Sequence, residues 1–462
     1  MEKLSTEAGA AEWRAGVERL SNRVIWAYSL PRIGVGILGL LFATYLMKFA
    51  TDVLLIAPAV MGGLIAASRF WDAISDPVVG YLSDNTRVSV GRRRAWLYGA
   101  AVPMGVGMIM IWSPPEVLEG LQLVLWMALA LFVYETASTA FFVPHGALGV
   151  ELTPNYHERT RLFGFSHMIS AIGLLLGLGA LQWMNMSDNK RETAFFISVA
   201  AGLIVIVLVI WSTWLIPERT DYQGRGGGKI VKSFLDVFKN PHATLLLLMY
   251  GIETFGAASI ALLVPYLMEY VLPMQAYIVP LLVLYVVPQF AFTPVFIWLS
   301  RRYGKKRLWL ISMFVAAFMF ILTFFVVKPG EFSYLIWIGT FFFGLCAGCG
   351  AVVAPAIKAD IIDYDEYVTE ERKEGAYLAV WNLIRKSAGS LTALFTGFAL
   401  QFTGFVPNVE QSETIQYWIL GLFSLLPGFC YLIGGLIFMR FSFNEAEHAE
   451  VRSALDARLN QA

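Results

Sequence analysis

Two aspartates, Asp72 and Asp76, lie four residues apart in an otherwise apolar stretch of the chain. In a helix this spacing places both carboxylates on one face, with Arg69 one turn earlier. Two carboxylates in a low-dielectric setting repel each other unless a cation or a proton lies between them. We therefore predict that Asp72 and Asp76 bind a hard monovalent cation, Na⁺ or H⁺. The structural alternative is an Arg69–Asp72 pair that only ties helices together.

Polar side chains also interrupt two other apolar stretches, and each charge inside a bilayer costs several kcal/mol unless it has a partner or a function. Thr139 shares a helix face with Glu135 and could add a neutral oxygen to the cation site. Glu135 is either a carrier of the cation or proton or a partner for Arg69 or Lys386. Arg385 and Lys386 are adjacent, and Lys386 could neutralise the aspartates when the cation is absent.

A further set of residues is predicted to contact the transported molecule. Arg32, beside a proline in the first apolar stretch, is a candidate for a substrate or gating contact. Phe142, His145 and Arg385 complete the candidates for the cavity lining. For His145, a hydrogen bond between helices is the alternative to proton transfer.

The composition predicts a membrane protein. The 462 residues are 57% hydrophobic and only 15% charged, whereas an ordinary soluble domain is about 25% charged. A soluble fold this apolar could not cover its own surface, so the excess must face lipid. The formal net charge of zero gives no sign of a nucleic-acid partner. We find no nucleophile–base pair, metal cluster or phosphate-binding loop, and so predict that the chain is not an enzyme.

Twelve apolar stretches approach the roughly 20 residues that a helix needs to cross a bilayer. They form two groups of six, which predicts an all-α protein with an N-terminal bundle over 1–216, a linker over 217–242, a C-terminal bundle over 243–440 and a tail over 441–462. The twelve predicted helices lie near 24–50, 57–83, 95–113, 121–150, 163–184, 194–216, 243–270, 276–299, 308–327, 333–361, 377–402 and 415–440.

Basic residues concentrate in alternate loops, which predicts that both termini are cytoplasmic in a cell inner (plasma) membrane. The loop after the second stretch contains Asp84 followed by Arg92, Arg93 and Arg94, and a similar basic cluster recurs at 304–307, six helices later. An aspartate and arginines on neighbouring helices can pair when the cytoplasmic face is closed and separate when it opens. We predict such a cytoplasmic gate; the simpler reading is that the arginines bind anionic lipid headgroups.

The loop and the six-helix repeat resemble the major facilitator superfamily, which implies two six-helix bundles and alternating access. More sharply, the stretches 69–77, 359–367 and 405–412 resemble, in order, three motifs of the glycoside–pentoside–hexuronide:cation symporters of the melibiose-permease type. The resemblance spans essentially the whole chain. It implies cation-binding aspartates at Asp72 and Asp76, a threonine ligand at Thr139 and the eleventh-helix lysine at Lys386. Ser75 stands where the melibiose type has an asparagine, and Na⁺ is the cation implied first.

The sugar-contact positions of that type do not carry over, because apolar or small residues occupy them. They fall on Gly36, Phe142, Gly146, Ser166 and Ala351. The stretch 134–148 also resembles the animal sodium-dependent lysophosphatidylcholine symporters. We expect cation-coupled symport of a small organic solute such as a glycoside or sugar derivative. The alternatives are transport of an amphipathic molecule such as a lysolipid, and a non-transporting sensor or scaffold. We expect a monomer in contact with membrane lipid, with no cofactor besides the coupling ion.

Overall fold

A computed structural model describes residues 20–152, 156–218, 236–370, 374–443, 447–451 and 453–454 of the chain. Within these ranges the regular structure is entirely helical, and a long helix coincides with each predicted stretch. The helices are α1 Asn22–Thr44, α2 Pro58–Asn85, α3 Arg92–Trp112, α4 Gly120–Glu151, α5 Tyr156–Met186, α6 Lys190–Leu215, α7 Pro241–Tyr266, α8 Gln275–Ala291 with Thr293–Tyr303, α9 Lys305–Val326, α10 Tyr334–Thr369, α11 Glu374–Phe402 and α12 Glu413–Met439.

Length and hydropathy support the membrane assignment. Among the described residues nine helices are long and apolar enough to span a bilayer, or ten if the two parts of α8, bent by 51°, form one span. The two remaining helices, α2 and α11, are long enough to span a bilayer, with 28 and 29 residues, but are not among these nine or ten. These two helices carry Asp72 and Lys386. The expected all-α architecture of about twelve helices is therefore confirmed.

Local sequence explains where several helices begin. Asn240 caps α7, because its side-chain oxygen accepts hydrogen bonds from the backbone N–H groups of His242 and Ala243 at 3.0 and 3.2 Å. Gly91 and Gly304 precede α3 and α9 with φ of 111° and 84°, a backbone region that favours glycine. A glycine thus precedes α3 and α9, the third helix of each predicted half, and the basic cluster follows it in both cases.

The helices form two compact units. The first comprises the described parts of Met1–Leu41 and Ile74–Gly227, and the second those of Phe42–Ala73 and Gly228–Ala462. The second unit therefore includes the end of the first helical span and the first half of α2. The predicted division into two bundles with a linker over 217–242 is not tested by this grouping and stays a prediction.

Glycines allow close helix packing inside each unit. In the first unit, a Cβ at Gly36 of α1 would lie 2.8 Å from the Cα of Gly173 in α5. In the second, a Cβ at Gly62 of α2 would lie 3.1 Å from the Cα of Gly397 in α11. Both distances are too short for a side chain, so these helices touch backbone to backbone. The second contact brings α11 beside the part of α2 that carries Asp72.

Candidate functional site

Asp72 and Lys386 form an ion pair within the second unit. The Oδ2 atom of Asp72 lies 2.8 Å from the Nζ atom of Lys386, and their side chains are 9% and 17% exposed. A charge pair removed from water needs its partner, because an unpaired buried ion is costly. Lys386, which we predicted to neutralise the aspartates, thus contacts one of them, Asp72, directly.

Asp76, Ser75 and Thr139 form a hydrogen-bonded group within the first unit. The Thr139 hydroxyl donates to Oδ1 of Asp76 at 3.2 Å and accepts from the Ser75 hydroxyl, also at 3.2 Å. Ser75 and Thr139 are 5% and 2% exposed. The group presents only oxygen atoms, the ligand type that hard cations prefer. The role of these residues as cation ligands stays a prediction.

Arg69 lies on α2, and Glu135 lies on α4. The Arg69 guanidinium lies 5.0 Å from the centre of the Phe42 ring, a cation–π contact. Glu135 is buried in α4, one turn before Thr139. The coupling role of Arg69 and Glu135 stays a prediction.

Among the predicted cavity residues, Arg32 and His145 lie together in the first unit. The His145 ring stacks on Tyr28 with ring centres 4.1 Å apart, and its Nε2 lies 3.0 Å from the Tyr28 carbonyl oxygen. This is a contact between helices, as in the structural alternative for His145. Arg32 is close enough for its charge to act on both rings. Phe142 is 38% exposed in α4, and Arg385 is exposed in α11 of the second unit.

The arginines that begin α3 form a dense ionic cluster within the first unit. Arg93 pairs with Asp84 and donates to the Ser83 hydroxyl at 2.6 Å. Arg92 contacts Glu151, at the end of α4, at 2.9 Å. Arg92 and Arg93 are 4% and 5% exposed, so the cluster is a packed structure. Its role as a gate stays a prediction.

Glu218 completes this cluster and was not identified from the sequence. Its carboxylate accepts hydrogen bonds from the backbone N–H groups of Arg93 and Arg94 at 3.1 and 3.2 Å. The Arg94 guanidinium in turn donates to the Thr213 carbonyl oxygen at 2.9 Å. A carboxylate at the exposed N–H groups of a helix N-terminus is favoured by the helix dipole. In the sequence, Glu218 is the first charged residue after the sixth apolar stretch. This position was the only signal that could have identified it.

Sequence reasoning also missed a buried ionic network in the second unit, which we call the Lys48 network. Lys48 is 1% exposed, pairs with Asp52, and lies 2.8 Å from a carboxylate oxygen of Glu269. The Tyr270 hydroxyl donates to Asp52 at 2.5 Å, and the Asn408 side chain donates to the Asp52 carbonyl oxygen at 2.6 Å. Lys48 and Asp52 are four residues apart, the same signal that singled out the aspartate pair.

The other two motifs of the resemblance also take part in polar contacts within the second unit. Asp360 pairs with Lys305 at 2.6 Å, and Asp363 lies 3.1 Å from the His448 ring. Asn408, from the third motif, has φ of 61°, a conformation that asparagine tolerates. These motifs therefore have structural partners of their own.

Comparison with known proteins identifies the class. The chain matches the model of the family of MFS/sugar transport proteins over residues 27–445, and it belongs to that family. Its helices form the major facilitator fold of secondary transporters, and the prediction that it is not an enzyme is confirmed. It is a multi-pass membrane transporter.

Three similar proteins illustrate the relationship. The chain is 26% identical to an uncharacterised symporter, YjmB, of Bacillus subtilis (strain 168), over 94% of this chain and 95% of that protein. It is 27% identical to a putative sulfoquinovose importer of Salmonella typhimurium, over 88% of this chain and 87% of that protein. A crystal structure of a D-xylose–proton symporter superposes with a TM-score of 0.69 at 13% identity, over 91% of this chain and 98% of that one.

Proposed function

We propose that this secondary transporter is a cation-coupled symporter of the melibiose-permease type. The coupling ion is Na⁺ first, or H⁺, and the cargo is a small organic solute such as a glycoside or sugar derivative. The single observation that supports the proposal best is the ion pair of 2.8 Å between Asp72 and Lys386. Charges inside membrane-spanning helices are costly, and where they occur they commonly mark ion or substrate paths.

The mechanism follows from the demand of Asp72 for a positive charge. Without the coupling ion, Lys386 satisfies Asp72, so the empty carrier can change conformation without an unpaired buried charge. When the ion binds at Asp72 and Asp76, it replaces the ammonium, and Ser75 and Thr139 orient the second carboxylate. Lys386 is then available to the solute. A partly loaded carrier retains an unpaired charge and stalls, and this penalty couples the two fluxes.

The solute site of this chain must differ from that of the melibiose type. At Gly36, where that type has a sugar-binding aspartate, a Cβ would meet the backbone of Gly173. Close packing of α1 against α5 therefore explains why glycine replaces the aspartate at this position. The replacement is no argument for a lipid substrate. The name of one similar protein, a putative sulfoquinovose importer, favours a sugar-type solute. The exposed ring of Phe142 is the one observation that favours a lysolipid as second candidate.

The orientation proposed for the membrane places both termini and the arginine cluster on the cytoplasmic side. The cluster then closes that side when Asp84 and Arg93 pair. The basic residues at the starts of α3 and α9 support this orientation, because the cytoplasmic ends of membrane helices and their loops are enriched in lysine and arginine.

The proposal is tested by cation-dependent stability of the purified protein. Na⁺, Li⁺ and H⁺ are titrated at fixed ionic strength, on wild type, on Asp72→Asn/Asp76→Asn, and on Asp188→Asn as an exposed control. We expect saturable stabilisation by Na⁺, since a ligand that binds only the folded state raises the midpoint temperature. The double variant should weaken Na⁺ binding at least about tenfold, and the control should not.

Each other outcome has a definite meaning. A pH-dependent shift without a Na⁺ effect, lost in the double variant, makes H⁺ the coupling ion. No dependence of the wild type on either ion would refute cation coupling at this site. Uptake into proteoliposomes of labelled glycosides and lysolipids then separates the two solute classes.

A further inference from the structure

A single residue, Gly304, connects α8 to α9, and the side chains around it form a basic surface in the second unit. Three arginines here have exposed side chains, and we call them the arginine surface: Arg301, Arg302 and Arg307. None of the three forms an ion pair within the part of the chain that the structure describes. Because α9 is one of the helices that can span a bilayer, the residues at its start lie at a membrane interface.

The corresponding connection in the first unit, from α2 to α3, contains its own counter-charges. There Arg92 contacts Glu151 at 2.9 Å, and Arg93 pairs with Asp84. The carboxylate of Glu218 accepts a further hydrogen bond from the backbone N–H of Arg93 at 3.1 Å. Both arginines are buried, so these charges are satisfied inside the protein.

The connection from α8 to α9 repeats this arrangement with fewer carboxylates among the described residues. Lys305 pairs with Asp360 at 2.6 Å, and Lys306 donates to a backbone carbonyl oxygen at the end of α12 at 2.9 Å. Arg301 follows a Leu-Ser pair, as Asp84 does in the first unit, so a positive charge stands in the place of a negative one. The arginine surface therefore obtains no counter-charge from the described protein.

An exposed apolar side chain lies one helical turn from each arginine, on the side of the bilayer core. The pairs are Arg301 with Ile297, Arg302 with Trp298, and Arg307 with Ile311. Members of a pair are four residues apart and so share one helix face. The Arg302 guanidinium accordingly lies 5.7 Å from the centre of the Trp298 ring. The three apolar side chains are 41%, 55% and 59% exposed, in the same order.

These two features together fit one kind of ligand, an amphipathic anion. The planar guanidinium group binds phosphate oxygens through two parallel N–H donors. A free phosphate would use the arginines alone, whereas a phospholipid also covers the apolar side chains beside them. A zwitterionic lipid would bring its own positive charge close to the arginines. An anionic phospholipid therefore complements the surface best.

We propose that the arginine surface binds the phosphodiester headgroup of an anionic phospholipid, such as phosphatidylglycerol. Its acyl chains lie along Ile297, Trp298 and Ile311. The lipid thus supplies the negative charge that carboxylates supply in the first unit. This inference concerns neither the coupling ion nor the solute, and the Na⁺ titration of the proposed function has no bearing on it.

The test measures quenching of Trp298 fluorescence by lipid on the full-length protein in a neutral detergent. Phosphatidylglycerol with brominated acyl chains is compared with phosphatidylcholine that carries the same chains. The quenching that remains in Trp298→Phe is subtracted, because it comes from the other tryptophans. We expect phosphatidylglycerol to bind at least about fivefold more tightly, since basic residues at an interface attract anionic lipid. Higher salt should reduce this preference, because it screens exposed charges.

Removing the arginine charges should remove the preference. We expect Arg301→Gln/Arg302→Gln/Arg307→Gln to bind both lipids equally, whereas Arg302→Lys should retain the preference. Arg301→Asp, which introduces the charge that the first unit has at this place, should reduce it. The matched control is Lys328→Gln, because Lys328 is exposed just beyond the other end of α9. This control should keep the preference of the wild type.

Equal binding of the two lipids by the wild type would overturn the proposal. A preference that persists in the triple variant, or that Lys328→Gln also removes, would overturn it as well. Complete displacement of phosphatidylglycerol by millimolar inorganic phosphate would assign the surface to free phosphate instead. If the triple variant fails to fold, Arg302→Gln alone replaces it, since that side chain is exposed, with an expected loss of at least about twofold.

Discussion

At the scale of single residues, we predict that Lys386 competes with the coupling ion for Asp72. Lys386→Gln removes a positive charge 2.8 Å from the carboxylate, so we expect tighter cation binding, by up to about tenfold or about 1.4 kcal/mol. Coupled solute uptake should fall, because the empty carrier then has no internal partner for Asp72. Calorimetric titration of Na⁺ on Lys386→Gln and on Lys386→Arg checks the first effect. Weaker binding in the glutamine variant than in the arginine variant would contradict competition.

The residues of the candidate site could be predicted to different degrees. The spacing of Asp72 and Asp76 shows in the sequence, because a helix turns every 3.6 residues. That Lys386 reaches Asp72 depends on the packing of α2 against α11, which no local pattern encodes. The sequence shows a lysine, Lys358, in the tenth apolar stretch. Its contacts with the rings of Tyr250 and Trp381 depend on the packing of three helices.

At the scale of helices, hydropathy predicts the spans well but their interruptions poorly. Each of the twelve stretches is helical because its backbone must satisfy its own hydrogen bonds in lipid. The bend of 51° in α8 was not predicted, although Pro288 and Pro294 flank the break and proline lacks the N–H that continues a helix. The two prolines are visible in the sequence, but they do not by themselves predict the bend, since many membrane helices accommodate proline without breaking.

The backbone contact between α1 and α5 yields a prediction with a matched control. Gly36→Ala introduces a Cβ at 2.8 Å from the Gly173 Cα, whereas Gly39→Ala in the same helix meets nothing within 4 Å. We expect Gly36→Ala to lower the free energy of unfolding by about 1–3 kcal/mol, the usual cost of overpacking. Gly39→Ala should be neutral or slightly stabilising, because alanine favours helix. Thermal unfolding of both variants in detergent checks this; equal midpoints would contradict the close approach.

At the scale of the whole molecule, the grouping of the chain could not be derived from its repeat. The twelve stretches and the recurring basic clusters predict two sets of six helices, and this division stays a prediction. In the structure, residues 42–73 pack within the second unit. The Lys48 network supplies a physical reason, because it joins Lys48 and Asp52 to Glu269 and Asn408 from the later part of the chain. The spacing of Lys48 and Asp52 is visible in the sequence, but their contacts with Glu269 and Asn408 arise only from packing between distant segments.

The Lys48 network makes the last prediction, on the stability of the second unit. Lys48→Met leaves Asp52 and Glu269 without their cation, and breaking a buried pair in this way costs about 3–5 kcal/mol. The matched control is Lys239→Met, whose partner Asp236 lies 2.7 Å away but whose own side chain is 76% exposed. Exposed pairs contribute about 0–1 kcal/mol, so this control should unfold almost like wild type.

Adding Asp52→Leu and Glu269→Gln to Lys48→Met should recover part of the loss, since no buried ion then lacks a partner. Thermal unfolding followed by tryptophan fluorescence measures all the variants in one detergent. A midpoint for Lys48→Met as high as that for Lys239→Met would show that the network does not stabilise the fold. A triple variant no more stable than Lys48→Met would instead show that packing around Lys48, and not the unpaired charge, causes the loss.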